Sequence, residues 1–144
     1  MGKIRPVDEE FRFEDEGVLV SQTDLEGVIT YVNRNFREIS GYAYDEVVGK
    51  PHSIVRHPDM PRATFAKMWD TIQSGQVFNG TIKNMRKDGR YYWVDLEILP
   101  IKNEEGQITG YISVAREASR KDIEENEELY QRMKEAEQAE GEWS

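Results

Sequence analysis

Cysteine is absent from all 144 residues. Disulfides, cysteine-bearing zinc sites, covalent haem attachment and thiol catalysis are excluded together. Long apolar runs are missing too. Nothing approaches a signal-peptide core or a membrane span, so the expected location is the cytoplasm, with no direct membrane insertion. Positive charge is in the minority: 19 Lys and Arg stand against 28 Asp and Glu, a formal net charge of −9. A nucleic acid or an anionic membrane would have to overcome that repulsion, and neither is expected as a partner. Neither kind of phosphate-cradling glycine loop is present, nor a Gly-x-Ser-x-Gly nucleophile elbow.

The sequence does hold a concentrated stretch, Pro51-His52-Ser53-Ile54-Val55-Arg56-His57-Pro58-Asp59-Met60-Pro61. It contains both histidines and three of the five prolines. Proline fixes φ and removes a backbone donor, so the stretch is neither helix interior nor central strand. It reads as a stiffened connection leading to a helix start.

Around it the pattern is α+β. Residues 18–23 and 28–32 make two short strands about the turn Asp24-Leu25-Glu26-Gly27. Asn33 stands where a helix N-cap belongs, and Gly41 can close that helix. Residues 45–48 form a helical turn ended by Gly49. Beyond the central stretch, Phe65, Met68, Trp69 and Ile72 fall at helical spacing on one stripe, with Asp59 the expected N-cap, Pro61 in the first turn and Gly75 the stop. Residues 77–86 and 90–101 are strands about Lys87-Asp88-Gly89, a hairpin signal. Glu105-Gly106 turns the chain into a last strand, 108–116. The sum is a five-stranded antiparallel sheet with helices on one face. An N-terminal arm (1–16) and a C-terminal helix (118–144) flank a domain at 17–117.

Strand parity places Phe78, Gly80, Ile82 and Asn84 on one face, and Asn84 on an apolar face needs a hydrogen-bond partner. In the next strand Tyr92, Val94, Leu96 and Ile98 share a face. Tyr91, Trp93, Asp95 and Glu97 share the other, which calls for a cover from the N-terminal arm or a second subunit. Phe11 and Phe13 make the arm either a loose segment or a cap on apolar surface. In the C-terminal helix, Ile123, Asn126, Tyr130 and Met133 form a short seam, either a solvated helix or a coiled-coil start.

For chemistry, the two histidines are not at the i, i+4 spacing of a helical metal site. What fits is non-covalent binding of a ligand with aromatic and anionic parts. Arg56 and His57 precede a helix N-terminus, which favours an anion, although Pro58 and Pro61 withhold amides. The plainer alternative is an Arg56–Asp59 pair, with His52 and His57 bonded to backbone.

Ser21-Gln22-Thr23-Asp24-Leu25, Ser40-Gly41-Tyr42, Gly49-Lys50-Pro51-His52, Val55-Arg56-His57-Pro58-Asp59-Met60-Pro61, Met68-Trp69 and Lys83-Asn84-Met85-Arg86-Lys87-Asp88-Gly89 resemble the flavin-binding PAS domain of bacterial aerotaxis receptors. The likeness runs from about Val18 to Arg116. It implies a PAS fold holding non-covalent FAD, with Ser21, Asn33, His52, Arg56, His57, Asp59, Phe65, Trp69 and Asn84 lining or supporting the site. It implies a redox or oxygen sensor, not an enzyme, acting on a chemotaxis receptor's signalling or HAMP module in cis or in trans, as a homodimer through the sheet face or flanking helices. The chain is then a stand-alone subunit or the front of a longer receptor. Phe78-Asn79-Gly80 departs from the family's tryptophan at the first of these positions, and Ala115 and Arg116 from its usual arginine placement. With a flavin present, Asn84 is the expected switch, because its amide both donates and accepts. A haem or small-ligand sensor, a cofactor-free dimerisation module and a flavin enzyme are the competing classes, and a cysteinyl photoadduct is excluded.

Overall fold

The computed structural model describes residues 4–14 and 17–143. The elements run β1 (Leu19–Thr23), β2 (Ile29–Val32), α1 (Arg34–Ser40), α2 (Tyr44–Val47), a 3₁₀ turn (His52–Val55), α3 (Arg62–Gln73), β3 (Phe78–Met85), β4 (Tyr91–Lys102), β5 (Ile108–Glu117) and α4 (Arg120–Trp143). The strands form one antiparallel sheet in the order β2-β1-β5-β4-β3, so β2 and β3 are its edges.

Local chemistry accounts for most boundaries. Asn33 caps α1 by accepting from the Phe36 amide at 2.9 Å, and Gly41 ends that helix at φ 80°. Both match the capping pattern read from sequence. Asp24 Oδ1 accepts from the amides of Glu26 and Val28, which closes the β1–β2 turn.

The start of α3 differs from expectation. The helix begins at Arg62 with Pro61 in the cap position, and no side chain of the preceding segment caps it. Glu137 of α4 does so instead, accepting from the amides of Arg62 and Ala63 at 2.9 and 2.8 Å. Asp59 is drawn away to Lys83, 3.1 Å from its carboxylate. A carboxylate on two orphan amides supplies what the proline-rich segment lacks.

The inward sheet face packs with α1, α2 and the 3₁₀ turn through Leu19, Ile29, Val32, Phe36, Val47 and Val55. The opposite face carries α4. Tyr130 stacks on Trp93 with ring centroids 6.3 Å apart and 8° between planes, and its hydroxyl donates to the Thr81 carbonyl at 2.6 Å. Ile123 is buried beside them. The seam on α4 therefore meets the sheet of its own chain, and the cover over Trp93 is this helix. The arm behaves as a cap: Phe13 is buried edge-on against Tyr92, and Phe11 lies under the guanidinium of Arg86. Glu10 pairs with Arg120, joining the arm to the start of α4.

Candidate functional site

Between the inward sheet face and α3 lies a cavity of about 270 Å³. One wall is the stripe on α3, where Phe65, Met68, Trp69 and Ile72 point inward as their spacing required. The sheet supplies Ile82, Leu96 and Ile98 as floor, with Ser21, Asn84 and Ser113 as polar points. The central stretch closes the remaining side through Pro51, His52 and Arg56. At the β1–β2 turn, Gly27 adopts φ 83°, and a Cβ there would come within 2.9 Å of the Trp69 ring, so glycine is needed for both reasons.

The central stretch is fastened at both ends. Pro51 bridges Val28 beside β2, with the His52 amide donating to the Gly27 carbonyl at 3.0 Å, and Arg56 bridges Asn84 on β3. The side chains of His52 and Arg56 are thereby held toward the same space as Asn84.

Each polar group on the wall has a distinct state. His52 Nε2 lies 2.9 Å from the Ser21 hydroxyl, and burial pushes its pKa down to about 4, so the ring is neutral at pH 7. The Arg56 guanidinium carbon lies over the Phe65 ring, 3.6 Å from its centroid, and burial lowers its pKa from an ordinary value far above neutrality. Its buried Nε has no hydrogen-bond partner, and among the described residues no carboxylate lies within ion-pair reach. The Arg56–Asp59 pair therefore does not form, because Lys83 has taken Asp59. Glu26 stands at the rim as an exposed carboxylate.

Six of the nine residues singled out from sequence line the cavity: Ser21, His52, Arg56, Phe65, Trp69 and Asn84. Three stand outside it. Asn33 ties α1 to β1, accepting from the Val20 amide and donating to the Val18 carbonyl. His57 is 3% exposed behind the wall, accepting from the Asp59 amide and meeting Tyr91 edge-on. Asp59 holds Lys83 at the surface. The amides of the α3 N-terminus, expected to favour an anion, are engaged by Glu137. Phe78 packs with Ile72, Ile98 and Tyr111 rather than lining the cavity. Sequence reading passed over Tyr111 and Ser113, whose alternation on β5 puts both on the inward face.

The histidines set a pH dependence. Burial lowers both to about 4 from an ordinary 6.5, so as pH falls the unfolded chain binds protons first. Their contribution is whole above about pH 6.5 and is lost on descending toward pH 4, at up to about 1.4 kcal/mol per pH unit for each ring. Urea midpoints at pH 7 and pH 5 measure this, and His52→Asn should flatten the slope by about half.

Comparison with known proteins bears on this geometry. A family model described as PAS fold matches residues 29–115. The aerotaxis receptor of Escherichia coli K12 is 44% identical over 119 residues, 83% of this chain and 23% of that receptor. A nitrogen fixation regulatory protein of Klebsiella pneumoniae is 30% identical over 106 residues, 74% of this chain and 21% of that protein. This chain thus spans under a quarter of either relative. Among solved structures, the light state of the blue-light photoreceptor Aureochrome1 LOV superposes with a TM-score of 0.68 at 22% identity, covering 76% of this chain and 91% of that one. A light-oxygen-voltage domain studied with a flavin analogue gives 0.66 at 26% identity, covering 78% and 86%. No described helix is long and apolar enough to cross a membrane. With its five-stranded sheet closed over a cavity by short helices, and a family match across most of that sheet, this chain belongs to the PAS family.

Proposed function

We propose that this chain is a flavin-binding redox sensor whose ligand is FAD and whose output is to a chemotaxis receptor's signalling or HAMP module, in cis or in trans, in the cytoplasm. The observation that carries the reading is Arg56: a cation without a carboxylate partner among the described residues, half-buried at the side of an apolar cavity, with an unpartnered buried nitrogen. Such a group suits an anionic ligand. The cavity fits the rest of the description. At about 270 Å³ it lies just under the usual range for a drug-sized ligand, so it suits a planar ring, and Arg56 would hold the anionic part. Trp69 and Phe65 offer aromatic faces, and Ser21, His52 and Asn84 offer edge hydrogen bonds. The likeness to the aerotaxis receptor supports the assignment.

FAD supplies two-electron redox chemistry when bound. The chain's part is to hold the ring and to register its state. Neutral His52 with Ser21 forms a polar edge whose charge does not change near pH 7. Asn84 can present either an acceptor or a donor to the cavity, and its backbone bridge to Arg56 joins β3 to the central stretch at that point. Asp59 and Lys83 continue that line to the face beneath α4. Because α4 covers the Trp93 side, a homodimer through the sheet face would use the half-buried outward residues Val20, Leu99, Ile112 and Val114, where β1, β5 and β4 pair.

A visible spectrum of the purified protein, with mass analysis of the released ligand, tests the assignment. Flavin bands and an FAD mass support it, whereas a Soret band or a featureless spectrum with no bound small molecule overturns it. Asn84→Ala should leave the site partly occupied but abolish the response in a swarm assay of aerotaxis. An unchanged response would remove Asn84 as the switch.

A further inference from the structure

Tyr92 has 0% exposure, and its hydroxyl has no hydrogen-bond partner among the described residues. A hydroxyl removed from water with nothing to bond is costly and requires a physical reason. The sheet register supplies one. Tyr92 pairs directly with Asn84 across the β3–β4 ladder, so both side chains leave the same inward face. Asn84 forms part of the cavity wall, whereas Tyr92 lies behind it in the core against Phe13.

The groups facing the phenol are few. Burial pushes its pKa up, Arg86 opposes that, Tyr42 adds to it and the Asn84 amide lowers it slightly. Arg86 is already committed to the Ile39 carbonyl at 2.5 Å and to Asp88. Of these groups, the Asn84 side chain is the one placed directly opposite on the ladder and acting on the phenol as a hydrogen-bonding group.

We propose that Tyr92 is the positioning residue for Asn84, its hydroxyl being the fixed partner on the protein side of that amide. The role rests on Asn84 facing a bound flavin, as argued above. A phenol both donates and accepts, so it accepts when the amide turns its NH₂ inward and donates when the carbonyl turns inward. Each orientation then keeps its protein-side bond while offering the opposite group to the cavity. A lone amide with an apolar neighbour would lose a bond in either position, and its orientation would be set by the ligand alone.

The test uses the full chain as purified, with Tyr92→Phe, Asn84→Ala and the double variant. Tyr92→Phe removes only the hydroxyl. A truly orphaned hydroxyl would make that variant equally or more stable, whereas a hydroxyl bonded to Asn84 makes it less so. The unfolding constants should fail to multiply by roughly fivefold, the size of one net hydrogen bond. Nitrogen-edited NMR should show Tyr92→Phe moving the Asn84 side-chain amide pair more than any backbone amide of β3, a readout a packing role would not produce. Multiplicative unfolding constants with an unmoved Asn84 amide overturn the proposal, even when flavin bands are present. Absence of flavin bands in the parent overturns the ligand reading instead, while the cycle still reports on the pair.

Discussion

Arg56→Ala is expected to weaken flavin binding by about 10- to 150-fold while leaving the protein folded. The range follows from the loss of charge-assisted hydrogen bonds to a phosphate, worth about 1.5–3 kcal/mol. Folding should tolerate the change because no ion pair is broken. The guanidinium rests on Phe65 and its Nε bonds to none of the described residues, so removal costs one cation–π contact of about 0.5–2 kcal/mol and relieves one buried orphan. Arg56→Lys should fall between, since it keeps the charge and loses the planar fork. Flavin fluorescence titration gives the affinity and circular dichroism the fold. Parent-like affinity in the alanine variant would end the anion-binding role of Arg56.

Tyr130→Ala should cost about 3–5 kcal/mol of stability, which urea unfolding can read. Tyr130 is 8% exposed, and three effects meet there. Its ring stacks on Trp93, its hydroxyl satisfies the Thr81 carbonyl, and burial with Asp95 nearby pushes that hydroxyl up to about 12, so it remains a donor. Without the ring, Trp93 on the outer face loses its cover. Tyr130→Phe should lose only the hydroxyl's share, about 1–2 kcal/mol. Loss of α4 contact should also reach α3 through Glu137, so hydrogen exchange at Arg62 and Ala63 should quicken in Tyr130→Ala.

What could be read from sequence was local or periodic. Asn33 and Gly41 delimit α1 because caps act within a turn, and Asp88-Gly89 marks its hairpin because a two-strand turn needs that chemistry. The stripe from Phe65 to Ile72 named one cavity wall, and β3 parity named Asn84. Long-range competition was not legible. Asp59 is well placed to cap α3 or hold Arg56, but Lys83, 24 residues on, takes it. The cap that α3 does receive comes from Glu137, 75 residues beyond Arg62. An apolar seam like that of α4 has the same spacing whether it meets a second helix or a sheet, so spacing could not name Trp93 as its partner.

The fastening of the central stretch has a consequence beyond the cavity. β2 and β3 are the exposed margins of the sheet, where unpaired amides and carbonyls can recruit another chain. The same connection pairs with one end of each: Gly49 donates to and Lys50 accepts from Ile29 of β2, and Arg56 bridges β3 at Asn84. The segment that closes the cavity therefore also occupies part of each sheet edge. Loosening it would free both edges at once, so the integrity of the cavity and colloidal stability are bound to a single short piece of chain.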